Sequence, residues 1–231
     1  MYFQHSAGIW DDFPELAAGV LFASGIKPGA NVDPAIMGYL DLARTRLAGA
    51  PESQWPEISA WRRVFARMGL KPTQYRCASE SLLRRLRLDG SVPRSHPLVD
   101  LCNAISMAFG IPVAVFDTAR IGGGVEVRRA IGTEEYLTFG GESEYPAPGE
   151  VIFADEADRA HARRWTNRQS GLSAVGAATS DVLIVAEAMH ADAATDVHGL
   201  TSTLAGELRA WGATPASAVF PSPGSPRAAS G

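Results

Sequence analysis

HPLVDLCNAISMAFGIPVAVFD, residues 96–117, holds one helix and one strand with a hard stop between them. Leu98, Leu101, Cys102, Ile105 and Phe109 recur at helical spacing, so one face of the helix belongs to a core. His96, Asp100 and Asn103 fall at i, i+4 and i+7 and line another face with groups that hydrogen-bond. Pro112 lacks an N–H and blocks continuation of the helix, and Val113 to Phe116 has the composition of a short buried strand. The polar stripe has two readings, a solvated helix face or one wall of a pocket.

The Val-Leu-Phe-Ala run between Glu15 and Ser24 reads as a buried strand, and Asp33 starts a helix reaching about Leu47. Trp61, Val64, Phe65 and Met68 form the inward stripe of a second helix, ended by Gly69. Leu82, Leu83 and Leu86 do the same for a third, ended by Asp89-Gly90. Strands are expected at Val125 to Ile131, Tyr136 to Phe139, Val151 to Phe153 and Asp181 to Glu187, with a last helix to Trp211. Helices and strands mix without strict alternation, which predicts an α+β fold with helices packed on a central, largely mixed sheet. One domain is expected over residues 1–212. Residues 213–231, rich in Pro, Ser, Ala and Gly, are expected to form a disordered tail. MYFQHS flows into IWDDFPELAAGVLF and reads as a natural amino terminus.

With 46% apolar residues, a chain of 231 can build a full core without disulfides or metal. Cys77 and Cys102 form no CxxC pair, which points to reduced thiols in a cytoplasmic protein. No apolar run approaches the roughly 20 residues that span a bilayer, so no membrane partner is expected. A net charge of −4 argues against a generic nucleic-acid binder. The arginines are nonetheless clustered, at Arg62, Arg63 and Arg67, at Arg84, Arg85 and Arg87, and at Arg163, Arg164 and Arg168. A local basic face on an acidic protein can still hold one RNA end. Nothing sets an oligomeric state, and a monomer is the expectation.

Several constellations have structural readings. Gly122 to Gly124 precedes a strand rather than a helix, so it reads as a hairpin turn and not as a phosphate loop. GLSAVG around Ser173 has one residue too many for a nucleophile elbow. His190, Asp192, Asp196 and His198 match no common ligand spacing, so no metal site and no cofactor are expected, and Thr195 or Asp196 reads as a helix cap. Two features remain. RRWTNRQS, residues 163–170, combines guanidinium groups, an aromatic ring and amides, which suits a phosphate backbone with a base or ribose on Trp165, or else a surface loop anchored by a buried tryptophan. Glu187 ends an apolar strand, as the first exposed residue or as a carboxylate facing a pocket.

The order Val-Asp-x-x-Asn, then Pro-x-x-x-Phe-Asp, then GEVIFAD, RRWTNRQS and DVLIVAE resembles the B3/B4 domain of the phenylalanyl-tRNA synthetase beta subunit, which also exists as freestanding proteins. The resemblance runs from about Ala60 to Met189 and implies the B3/B4 fold and the removal of wrongly attached amino acids from tRNA. It implies a catalytic, water-orienting role for Asn103. It implies a substrate-binding role for Glu187, which in the family reads the phenolic hydroxyl of misattached tyrosine. Asp100, Trp165 and Asn167 join the expected substrate site, and Arg163, Arg164 and Arg168 the expected tRNA face. Ala114 stands where the family has a histidine, and RRWTNRQS replaces its glycine-rich loop, so the family's tyrosine specificity does not carry over by resemblance and the amino acid is left open. An aminoacyl ester is activated, so a pocket that orients it and a water needs no Ser-His-Asp set. The rival expectations are a non-catalytic tRNA-binding module and a binder of a free amino acid.

Overall fold

A computed structural model describes residues 1–230. In chain order the elements are β1 (Tyr2–His5), α1 (Ala7–Asp12), β2 (Ala17–Ser24), α2 (Asp33–Gly49), α3 (Pro56–Arg67), α4 (Ala78–Asp89), α5 (Pro97–Phe109), β3 (Val113–Asp117), β4 (Gly124–Arg129), β5 (Tyr136–Leu137), β6 (Ser143–Glu144), β7 (Val151–Asp155), β8 (Ala160–Arg163), β9 (Arg168–Gln169), β10 (Asp181–Ala188), α6 (Ala193–Ala210), β11 (Thr214–Pro215) and β12 (Arg227–Ala229). The class is α+β. One sheet is mixed and six-stranded, in the order β12-β1-β4-β7-β8-β9, with β1 and β4 parallel. A second is antiparallel, β11-β2-β10-β3, and β5 pairs with β6.

The 96–117 run folds as its sequence demands. His96 caps α5 by accepting the Leu98 N–H at Nδ1 (3.2 Å), and Pro97 follows in the first turn, where its missing N–H costs nothing. Gly110 ends the helix at φ 73°, a left-handed conformation, with Trp55 packed 3.1 Å from where a Cβ would stand. β3 then enters the antiparallel sheet beside β10. β2 and β10 are buried on both faces, which explains their near-continuous apolar sequences. α6 packs on this sheet and α5 packs on α2, so one apolar core runs through both layers.

Gly122 and Gly123 form a bend that leads into β4 at Gly124, not a hairpin turn, since β3 and β4 lie in different sheets. At its end, a Cβ on Gly124 would stand 2.3 Å from the Tyr2 ring, so the parallel pairing of β1 with β4 requires glycine there.

The expectation of a disordered tail is corrected. β11 pairs with β2, Val219 exchanges two backbone bonds with Val20 (2.8 and 2.9 Å), and β12 pairs with β1. Ala228 is buried and Phe220 stacks on His198 with ring centroids 4.4 Å apart. The open edges of β1 and β2 supply backbone donors and acceptors, and that source of order leaves no mark on composition.

Candidate functional site

Glu187 sits one residue from the end of β10, paired in register with Ala18 of β2, and is 2% exposed. Its Oε1 meets two groups, Trp165 Nε1 at 2.9 Å and His5 Nε2 at 2.7 Å. Beside it opens a small cleft of about 50 Å³ lined by Val113, Ala114, Phe153, Trp165, Asn167, Arg168, Gln169 and Glu187, among others. With both donors converging on Oε1, Oε2 is the oxygen left for the cavity. The cleft thus offers one carboxylate oxygen against largely apolar walls, with amide and guanidinium groups toward the RRWTNRQS side.

That segment is a tight hairpin rather than a loop. β8 and β9 pair through Arg163 and Arg168, and residues 164–167 form the turn. Arg164 and Trp165 hold φ of 46° and 58°, left-handed values that cost roughly 1–3 kcal/mol each in residues other than glycine. Neighbours over-determine them. Trp165 donates its backbone N–H to Val151 O (2.8 Å), Arg164 donates its own to Glu150 Oε1 (3.1 Å), and Asn167 Nδ2 donates to Arg76 O (2.8 Å). The result buries the Trp165 indole edge-on against Trp61 and Phe13, with its N–H aimed at Glu187.

Glu187, Trp165, Asn167 and Arg168 of the expected site therefore share one cleft. Other members do not. Asn103 lines a different cavity, of about 230 Å³, with Ile36, Met37, Arg44 and Val92, so it does not face Glu187's cleft. The reason is local: α5 turns its Asn103 face toward α2 and the 91–94 connector. Asp100 is committed to Arg94 Nε (2.9 Å) and the Ser95 N–H (2.8 Å), closing the entrance to α5. Arg163 is buried with a bidentate grip on Glu150 (2.9 Å twice) and a further bond to Glu144 (2.6 Å), which withdraws it from any RNA face. Burial alone would raise the Glu150 carboxyl; the hydrogen bonds and charge of Arg163 outweigh it and hold Glu150 below its ordinary range. Arg164 lies 4.9 Å over the Tyr75 ring, and Arg168 is shared between the cleft and Glu144.

His5 is the residue that the sequence reading missed. The alternation Tyr-Phe-Gln-His puts Phe3 and His5 on one face of a strand, a signal present but too short to stand alone.

Two further clusters have structural explanations. Ser173 Oγ lies 2.8 Å from His161 Nδ1, and His161 Nε2 lies 3.1 Å from Asp155, the connectivity of a nucleophilic relay. Ser173 and His161 are fully enclosed, so no substrate reaches them. Glu57, His190 and Asp196 bring ligand-type atoms within 4.8 Å of one another. Arg46 occupies Glu57 (2.8 Å), and both carboxylates sit in first turns of helices, where the positive helix ends already balance them.

The B3/4 domain model matches residues 60–205. The chain belongs to the B3/4 domain family. The phenylalanine–tRNA ligase beta subunit of Nocardia farcinica is 35% identical over 155 residues, 64% of this chain and 18% of that protein. That of Cereibacter sphaeroides is 33% identical over 94 residues, 41% of this chain and 12% of that protein. The chain thus spans less than a fifth of the length of these relatives. An N-terminal fragment of the phenylalanyl-tRNA synthetase beta subunit from Pyrococcus horikoshii aligns with 92% of this chain and 49% of its own, at 10% identity and a TM-score of 0.48. All the cleft residues named above lie inside the B3/4 match, and His5 lies outside it. No helix among the described residues is long and apolar enough to cross a membrane.

Proposed function

We propose that this B3/4 protein binds aminoacyl-tRNA and hydrolyses a wrongly attached amino acid in trans, in the cytoplasm, with Glu187 reading the amino acid. The observation that carries the reading is the anchored carboxylate. A buried glutamate with one oxygen held by two donors and the other open to a cleft is built to receive a ligand's ammonium or hydroxyl. Arg168 and Asn167 on the hairpin side suit the ribose and terminal phosphate of the tRNA. Water attacks the ester carbonyl, and the ribose oxygen leaves carrying a proton. Orientation of an already activated ester supplies the acceleration, with no metal or cofactor required.

A second reading is favoured by two observations. Asn103 is outside the cleft, and Ala114 lines it where the resembling family has a histidine. Both leave the cleft short of groups to position water, as in a module that binds aminoacyl-tRNA without cleaving it. A panel of mischarged tRNAs separates the two. Deacylation of one or more above the spontaneous rate, lost or redirected in Glu187→Gln, supports editing. Binding of aminoacylated over uncharged tRNA with no deacylation supports the module.

A further inference from the structure

We infer that His5 is a positioning residue for the Glu187 cleft: held in one tautomer, it fixes the carboxylate so that a single oxygen reads the ligand. The inference rests on the reading that this cleft takes substrate, and extends it to a residue outside the B3/4 match.

The ring environment assigns the tautomer. His5 is wholly buried, edge-on to Phe3 and to Trp10 with centroids 5.0 Å away in each case. Its Nδ1 is enclosed and has no hydrogen-bond partner among the described residues. A proton on Nδ1 would be a buried donor without an acceptor, and would leave the Nε2 lone pair facing the carboxylate oxygen at 2.7 Å. With no acceptor at Nδ1, the ring places its proton on Nε2 and donates to Glu187. Trp165 Nε1, which can only donate, meets the same oxygen. Oε1 accepts twice, and the carboxylate cannot rotate without losing both bonds at once. Oε2 is thereby presented in one direction, toward a ligand that donates.

This matters because the two clamps come from widely separated segments of the sequence. Trp165 stands on a hairpin whose turn is strained, and His5 stands on β1, held between β4 and β12. Neither alone defines the carboxylate plane. Loss of one leaves a pivot, and a pivoting carboxylate accepts hydroxyl and ammonium groups from several directions, which lowers discrimination.

The test compares His5→Phe, which keeps an aromatic ring without a donor, with His5→Gln, whose amide N–H reaches about as far as Nε2. Each full-length variant is first checked for folding by its melting curve. Three readouts follow: the ¹⁵N spectrum of His5 in the wild type, the Trp165 indole N–H resonance and its exchange rate, and relative kcat/KM across a panel of mischarged tRNAs. Expected are a ring protonated at Nε2 with a bare Nδ1, an indole N–H that shifts and exchanges faster in His5→Phe, and discrimination reduced about tenfold in that variant. His5→Gln should restore the last two to within about threefold. A ring protonated at Nδ1 overturns the inference, and so does a folded His5→Phe with wild-type indole resonance and discrimination. A wild type inert on every tRNA overturns the editing reading instead, and the ring and indole resonances then decide the role of His5 by themselves.

Discussion

Glu187 sits where its chemistry requires a scaffold, because a carboxylate that is 2% exposed is tolerated only with donors in place. Trp165→Phe removes one of them while keeping an aromatic ring, and we expect it to cost about 1–3 kcal/mol of stability and to broaden ligand preference, measured by chemical denaturation and the tRNA panel. Asn103→Ala, in its separate cavity, should change stability by no more than about 0.5 kcal/mol and leave any deacylation rate at the wild-type value; a large fall in rate would return Asn103 to the site. Arg168→Glu should weaken tRNA binding and flatten its salt dependence more than Arg164→Glu, since Arg168 lines the cleft. At this scale the sequence was half legible. Glu187, Trp165, Asn167 and Arg168 came from one hairpin and one strand end, whose chemistry is local. Asn103, Asp100 and Arg163 could not be judged, because the direction of a helix face and the partner of a guanidinium are decided by how neighbouring segments fold back, here the 91–94 connector, Arg94 and Glu150.

The elements that were legible carry their own punctuation: Asp33 starts α2, Gly90 ends α4, and Gly110 with Pro112 separates α5 from β3. Those that were missed are the short helix α1 and the strands β1, β6, β8, β9, β11 and β12; these strands are two to four residues long and gain their order from pairing, β1, β11 and β12 with distant partners and β6, β8 and β9 with hairpin neighbours. Gly110→Ala tests the punctuation. A Cβ at φ 73°, 3.1 Å from Trp55, should destabilise the protein by about 1–2 kcal/mol in a denaturant titration. Glu150→Gln tests the hairpin. It leaves the buried Arg163 without half its counter-charge and should cost about 3 kcal/mol, more than any exposed pair such as Arg85 with Asp89.

Across the whole molecule, several acids are held below their ordinary ranges. Glu52 is lowered chiefly by its bond from Arg87. Glu134, Glu150 and Asp155 are lowered despite burial, by the donors around them. A carboxyl depressed in the folded state stabilises it fully above the unfolded value, and that contribution is lost as pH falls through the folded one. Melting temperature should therefore hold at neutral pH and fall progressively below about pH 4.5, where these groups begin to protonate in the unfolded chain. A melting temperature flat down to pH 3 would show that the pairs contribute little. Limited proteolysis should spare residues 213–230 as long as β1 and β2 stay intact, and deletion after Gly212 should lower the melting temperature. The same pairing brings Ser230 N within 3.0 Å of Met1 O, so the polypeptide path closes on itself. Its most distant contacts in sequence are then the costliest to form from an open chain. A circular permutant with residues 1 and 230 joined by a short glycine linker, opened at the exposed turn near Gly141, converts β12-β1 into a local hairpin. It should reach the same fold faster than the linear chain.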